Sequence, residues 1–135
     1  MPAKDRYHDT VKRALIKDGW TIVQEQIYLS DNQRHIWVDL SAHRGDSENS
    51  ILIEVKGFEN ASSQVEMFMA AIGQYAFYTA MLEFLAYSYP LYLAIPLISY
   101  EGIFQAPAAQ RAVENLGIWL MVFDPITEEV VRWIR

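Results

Sequence analysis

The 135-residue chain has no cysteine, so disulfide scaffolds, thiolate zinc sites and cysteine nucleophiles are excluded. It is also short of positive charge. Eleven Lys and Arg stand against seventeen Asp and Glu, for a net charge of −6. That balance argues against a protein that coats nucleic acid or anionic membrane by charge alone. The six glycines are scattered at 19, 45, 57, 73, 102 and 117. They form no phosphate-cradling loop, which disfavours nucleotide-cofactor enzymes. A Ser-His-Asp arrangement and a His-Glu-x-x-His zinc helix are missing too. Two uncharged runs, 67–82 and 84–100, are separated by Glu83 and interrupted by Gln74 and Pro90. Each falls short of the roughly 20 apolar residues of a spanning helix. Residues 1–9 carry Lys4, Asp5, Arg6 and Asp9 and no apolar core, so no signal peptide is expected. The expectation is a soluble cytoplasmic protein.

A 52% hydrophobic fraction is enough to build a core and excludes intrinsic disorder. With no repeat and no linker, residues 1–135 read as one domain. The charge is uneven. Residues 1–56 hold eight basic and nine acidic side chains, residues 57–135 three and eight. A surface that meets a polyanion is therefore to be sought in the first half.

Hydrophobic periodicity predicts a helix over 3–18, with Tyr7, Val11, Ala14 and Leu15 on one face and Gly19 as its stop. Strands follow at 20–29 and 34–42, the second with Ile36, Val38, Leu40 and Ala42 at alternate positions. After a polar loop at 43–50, residues 51–56 alternate again. Residues 62–86 lack proline and are apolar nearly all round, as in a helix buried on most sides by its sheet or by a second subunit. A strand over 90–96, a helix over 106–116 and strands over 118–124 and 130–134 complete the order. The expected fold is α/β: a mixed sheet flanked by helices.

The informative constellation is Asp39, Glu54 and Lys56. A hairpin folded symmetrically about the loop places Asp39 directly opposite Glu54, with Lys56 on the same face. Directly opposed carboxylates repel, and a sheet does not adopt that pairing for stability. A divalent cation between them turns repulsion into ligation, and hard oxygen ligands point to Mg²⁺ or Mn²⁺. Lys56 is then placed to orient a water and to neutralise charge on a phosphate oxygen. On spacing alone, an exposed sheet face with an Asp39–Lys56 ion pair, worth at most about 1 kcal/mol, explains the same residues. On spacing alone, Asp9 in the first helix reads as half of an i, i+4 pair with Arg13.

The spacing Val38-Asp39, fourteen residues, Glu54-Val55-Lys56 after an N-terminal helix resembles the restriction-endonuclease-like PD-(D/E)XK nuclease superfamily, with Val38 where that signature has Pro. Gln74 and Tyr78, one helical turn apart, resemble the Gln-x-x-x-Tyr motif of its RecB-like branch, whose residues approach the DNA or the site. More narrowly, the words at 1–9, 14–20, 53–58 (Ile-Glu-Val-Lys-Gly-Phe) and 73–75 resemble the XisH family, the fdxN-element excision controlling factors found mainly in cyanobacteria. The resemblance runs over essentially the whole chain. It implies an endonuclease-like fold and a role beside a site-specific recombinase in DNA rearrangement. A small XisI-type protein is the implied partner.

Two functions follow as expectations. One is a Mg²⁺- or Mn²⁺-dependent DNA endonuclease in which Asp39, Glu54 and the Val55 carbonyl hold metal, Asp9 is a further candidate ligand, Lys56 stands beside the water, and Gln74 and Tyr78 complete the site. The other is a non-catalytic accessory protein that uses the same scaffold to bind the XisI-type protein, the recombinase complex or a second copy. A homodimer is expected because the long helix has more apolar surface than one sheet covers.

Overall fold

The computed structural model describes residues 4–45, 49–58 and 63–135. Three successive segments rich in β-branched and aromatic residues form an antiparallel meander: β1 (Thr21–Ser30), β2 (His35–His43) and β3 (Ser50–Val55). The 21-residue helix α2 (Gln64–Phe84) then crosses over to β4 (Leu91–Pro96), which lies parallel to β3. Short helix α3 (Leu97–Glu101), a 3-10 turn at Ile103–Gln105 and helix α4 (Pro107–Leu116) lead to β5 (Trp119–Asp124), parallel to β4. The last strand, β6 (Glu129–Ile134), returns antiparallel to β5. Six strands in the order β1 to β6 thus make one open mixed sheet, the arrangement expected of a restriction-endonuclease-like domain.

Both parallel crossovers step the same way across the sheet, so a single handedness puts α2 and α4 on one face. Their cluster holds Leu52, Phe68, Ala71, Tyr75, Leu93, Phe104 and Ala109. Helix α1 (His8–Lys17) covers the other face, where Val11 and Leu15 meet Leu40, Ile53, Val55, Met121 and Phe123. Every residue of β3 and of β4 is buried, as their near-continuous apolar sequence requires of central strands covered on both sides. Tyr75 ties α2 down: its hydroxyl donates to the Leu91 carbonyl at 2.7 Å and accepts the Trp119 amide at 3.3 Å.

The elements agree with the sequence reading to within a few residues, and two differences bear on the site. Residues 4–7 are not helical. Asp5 accepts the Tyr7 amide through Oδ1 and the Gly57 amide through Oδ2, at 2.9 and 3.1 Å, which pins this stretch to the end of β3 before α1 begins. Residues 3 and 62, where the two predicted helices start, lie outside the described residues. Second, the even positions of β2 do not feed one core. Ile36 and Val38 join the α2 cluster, Leu40 and Ala42 the α1 cluster. Glu25 pairs with Leu40 and Ile27 with Val38, so Gln26 occupies the slot opposite Asp39. Gln26 has φ +55°, a left-handed value that costs an L-residue about 1–2 kcal/mol and twists the strand where the burial changes over. Among the described residues, no helix is long and apolar enough to cross a membrane.

Candidate active site

Strands β2 and β3 pair Leu40 with Ile53 and His43 with Ser50; the next step of that register brings Asp39 to Glu54. There the ladder gives way. The amides of Leu52 and Lys56 donate to Pro90 and Ala94 on the β4 side, so the intervening Val55 amide points to β2. It donates to Asp39 Oδ2 at 2.7 Å. A carboxylate thus takes an amide from the adjoining strand, and Asp39 is fixed by backbone.

Glu54 is only 5% exposed, which is incompatible with an ordinary solvated sheet face. Its Oε2 accepts from Gln74 Nε2 at 2.6 Å and lies 4.0 Å from Lys56 Nζ. Its Oε1 is buried with no hydrogen-bond partner among the described residues. The Asp39 and Glu54 carboxyls are close enough to influence each other's ionisation. Burial, then the adjacent Asp39 charge, push the Glu54 carboxyl well above its usual range, with Lys56 opposing. Burial raises Asp39 too, against the Val55 amide and the nearby His8 and Lys56. A buried and a half-buried acid side by side, each resisting ionisation, are a hallmark of functional sites more than of stable folds.

A cleft of about 250 Å³ opens onto the pair, lined by Lys4, Asp5, Trp37, Asp39, Glu54, Val55, Lys56, Gln74 and Tyr78. Lys56 follows the last residue of β3, and its side chain is 33% exposed; it reaches solvent while its backbone stays bonded to β4. Gln74 and Tyr78 lie one turn apart on α2, which is how residues 20 and 24 positions beyond Glu54 return to it. Burial first, and then the Glu54 charge, raise the Tyr78 hydroxyl. Six sequence-predicted residues, Asp39, Glu54, Val55, Lys56, Gln74 and Tyr78, therefore line one cleft.

Asp9 is not among the lining residues. Its carboxylate lies 3.8 Å from Lys4 Nζ and groups with a His8 ring nitrogen and the Glu25 carboxylate within 4.8 Å. Arg13, its candidate partner at i+4, instead makes a bidentate contact with Glu128 at 2.7–2.9 Å. Glu25 accepts from Lys12 Nζ and from His8 Nε2, both at 2.9 Å, and Lys12 and then His8 lower its carboxyl. His8, 1% exposed, thus bonds Glu25 and lies near Asp39. Sequence reasoning did not assign Lys4, Asp5 or Trp37 to the site. Trp37 was legible, two residues from Asp39 on an alternating strand. Asp5 carries only the weak signal of an acidic residue before a helix start, and Lys4 carries none.

The XisH protein family model matches residues 1–131. An XisH family protein from Nostoc punctiforme is 30% identical, with a TM-score of 0.89 over 97% of this chain and 100% of its own. An fdxN element excision controlling factor protein from Anabaena variabilis is 30% identical as well, with a TM-score of 0.88 over 98% and 100%. No curated protein sequence matches this one significantly.

Proposed function

The chain belongs to the XisH family, and from that premise we propose that it serves DNA-element excision through a metal-dependent phosphodiesterase site of the PD-(D/E)XK type, built on Asp39, Glu54 and Lys56. The observation that carries this reading is the pairing of buried Glu54 with half-buried Asp39 in an open cleft beside Lys56. An acceptor oxygen buried with no hydrogen-bond partner among the described residues, Glu54 Oε1, beside a second carboxylate fits a hard divalent cation. Asp39, Glu54 and the Val55 carbonyl would hold Mg²⁺ or Mn²⁺; Asp9, outside the cleft lining, is a weaker candidate ligand. When bound, the ion supplies Lewis-acid charge to a phosphate oxygen and lowers the pKa of a water.

The chain's own groups do the rest. Gln74 holds Glu54 Oε2 in one orientation, and the Val55 amide does the same for Asp39. Lys56 places a positive charge where the attacking water and the phosphate oxygens meet, and Tyr78 walls the cleft from the α2 side. Hydrolysis adds the water oxygen to phosphorus and breaks one phosphorus–oxygen ester bond; a proton passes to the departing oxygen. The test is incubation of purified protein with linear, nicked and branched DNA and Mg²⁺ or Mn²⁺, alongside Glu54→Ala. Cleavage by the wild type alone is expected. No cleavage, or equal cleavage by the variant, overturns the catalytic reading.

One observation favours the accessory reading beside it. On α2, Val65, Met69, Phe77 and Phe84 are each more than half exposed, and Ala70, Gly73, Ala76 and Ala80 continue the same solvent-facing side. Such an apolar face suits assembly with a second copy, an XisI-type protein or a recombinase complex. Phe77→Glu is expected to convert a gel-filtration dimer, or a complex with co-expressed XisI-type protein, to monomer. Wild type that is monomeric and captures no such partner refutes it.

A further inference from the structure

We propose that Lys4 is a second phosphate-binding cation of the cleft, gripping a backbone phosphodiester of DNA opposite Lys56. The proposal rests on the phosphodiesterase reading and adds to it a residue from a segment that resembles a plain helix start in the sequence.

Three observations bring Lys4 there. It lines the same cleft as Asp39, Glu54 and Lys56. It is held in place through its neighbour: Asp5 bonds the Gly57 amide at 3.1 Å and the Tyr7 amide at 2.9 Å, so the backbone before α1 is tied to the turn that follows Lys56. And its ammonium is loosely engaged. Among the described residues its nearest carboxylate oxygens are at 3.8 Å (Asp9) and 4.0 Å (Glu25), beyond hydrogen-bonding distance, while Glu25 is already bonded by His8 and Lys12 at 2.9 Å. With its side chain 53% exposed, Lys4 can turn to an incoming anion without breaking a good contact.

Charge balance gives that cation a task. Asp39 and Glu54, when ionised, match one divalent ion, and Lys56 matches the single negative charge of a phosphodiester. The transition state for attack gathers further negative charge on the equatorial oxygens. Lys4 is the other cation lining the cleft among the described residues, and an ammonium there stabilises that charge as well as the bound diester.

The experiment measures binding of a short DNA duplex between about 50 and 200 mM salt with Ca²⁺ present to suppress turnover, for wild type, Lys4→Gln, Lys4→Arg and Lys17→Gln, with Mn²⁺ calorimetry on each. Losing one phosphate contact lowers the slope of log K against log salt by about 0.9, so across that range Lys4→Gln should lose about threefold less affinity than wild type does. Lys4→Arg should restore the slope. Lys17, bonded to the Thr127 carbonyl away from the cleft, removes the same charge and should leave the slope at the wild-type value. Mn²⁺ heats should be equal in all four. An unchanged slope in Lys4→Gln, an equal fall in Lys17→Gln, or no DNA binding by wild type overturns the proposal. Absence of Mn²⁺ heat in wild type instead marks failure of the metal reading, and the slopes then judge Lys4 independently.

Discussion

Glu54→Gln should make the metal-free protein more stable at neutral pH. The substitution keeps the volume and keeps an acceptor for Gln74, but it removes one of two adjoining charges. Directly opposed residues have Cβ atoms about 5 Å apart, and at an effective dielectric near 20 two like charges at that separation repel by about 3 kcal/mol. Partial protonation of the pair reduces the average charge, so a net gain of about 1–3 kcal/mol is expected. For a chain of this length that is a rise of about 3–10 °C in the unfolding midpoint. The pH dependence identifies the cause. The folded state holds the Glu54 proton more tightly than the unfolded chain does. Wild-type stability from this group is therefore complete below the unfolded carboxyl value of about 4.3 and declines as pH rises through the higher folded value. The advantage of Glu54→Gln should vanish near pH 4 and grow toward pH 8. Calorimetric scans of both proteins across that range decide it; a lowered midpoint in the variant at neutral pH, or a gain independent of pH, refutes the coupled-carboxylate account.

Mn²⁺ at a hundredfold excess over its dissociation constant should stabilise wild type by about 2.7 kcal/mol and release protons as the pair ionises; Asp39→Asn should abolish both effects, read by thermal scans and by calorimetry in buffers of different ionisation enthalpy. Tyr75→Phe removes a buried hydroxyl that serves both Leu91 and Trp119, and should cost about 1–3 kcal/mol in urea unfolding without altering Mn²⁺ affinity. Equal losses of stability and metal binding would show instead that Tyr75 acts on the site.

The segments around the site differ in how openly the sequence displayed them. Residues 34–42 and 51–56 alternate with period two, which puts Asp39 and Glu54 near one another across a symmetric turn; the alternation of β2 nevertheless breaks between Val38 and Leu40, and the paired register ends at Leu40–Ile53, so how the two acids meet there was not legible. Gln74 and Tyr78 are separated by one helical turn, so their shared face followed too. The start of α1 did not: residues 4–7 have helix-compatible composition, yet Asp5 accepts the amide of a glycine 52 positions away, and the stretch is not helical. The twist at Gln26 was equally hidden, because nothing in a glutamine announces a left-handed φ.

By itself, then, the sequence determined the order of the strands and longer helices and the family, since these follow from local periodicity and from long matching words. Tertiary structure alone decided that Glu54 is buried rather than solvated, that Asp9 stays outside the cleft and that Lys4 lines it. Each of those depends on which distant segment covers a side chain. Burial and electrostatic coupling are properties of that three-dimensional neighbourhood, and no short-range pattern encodes them.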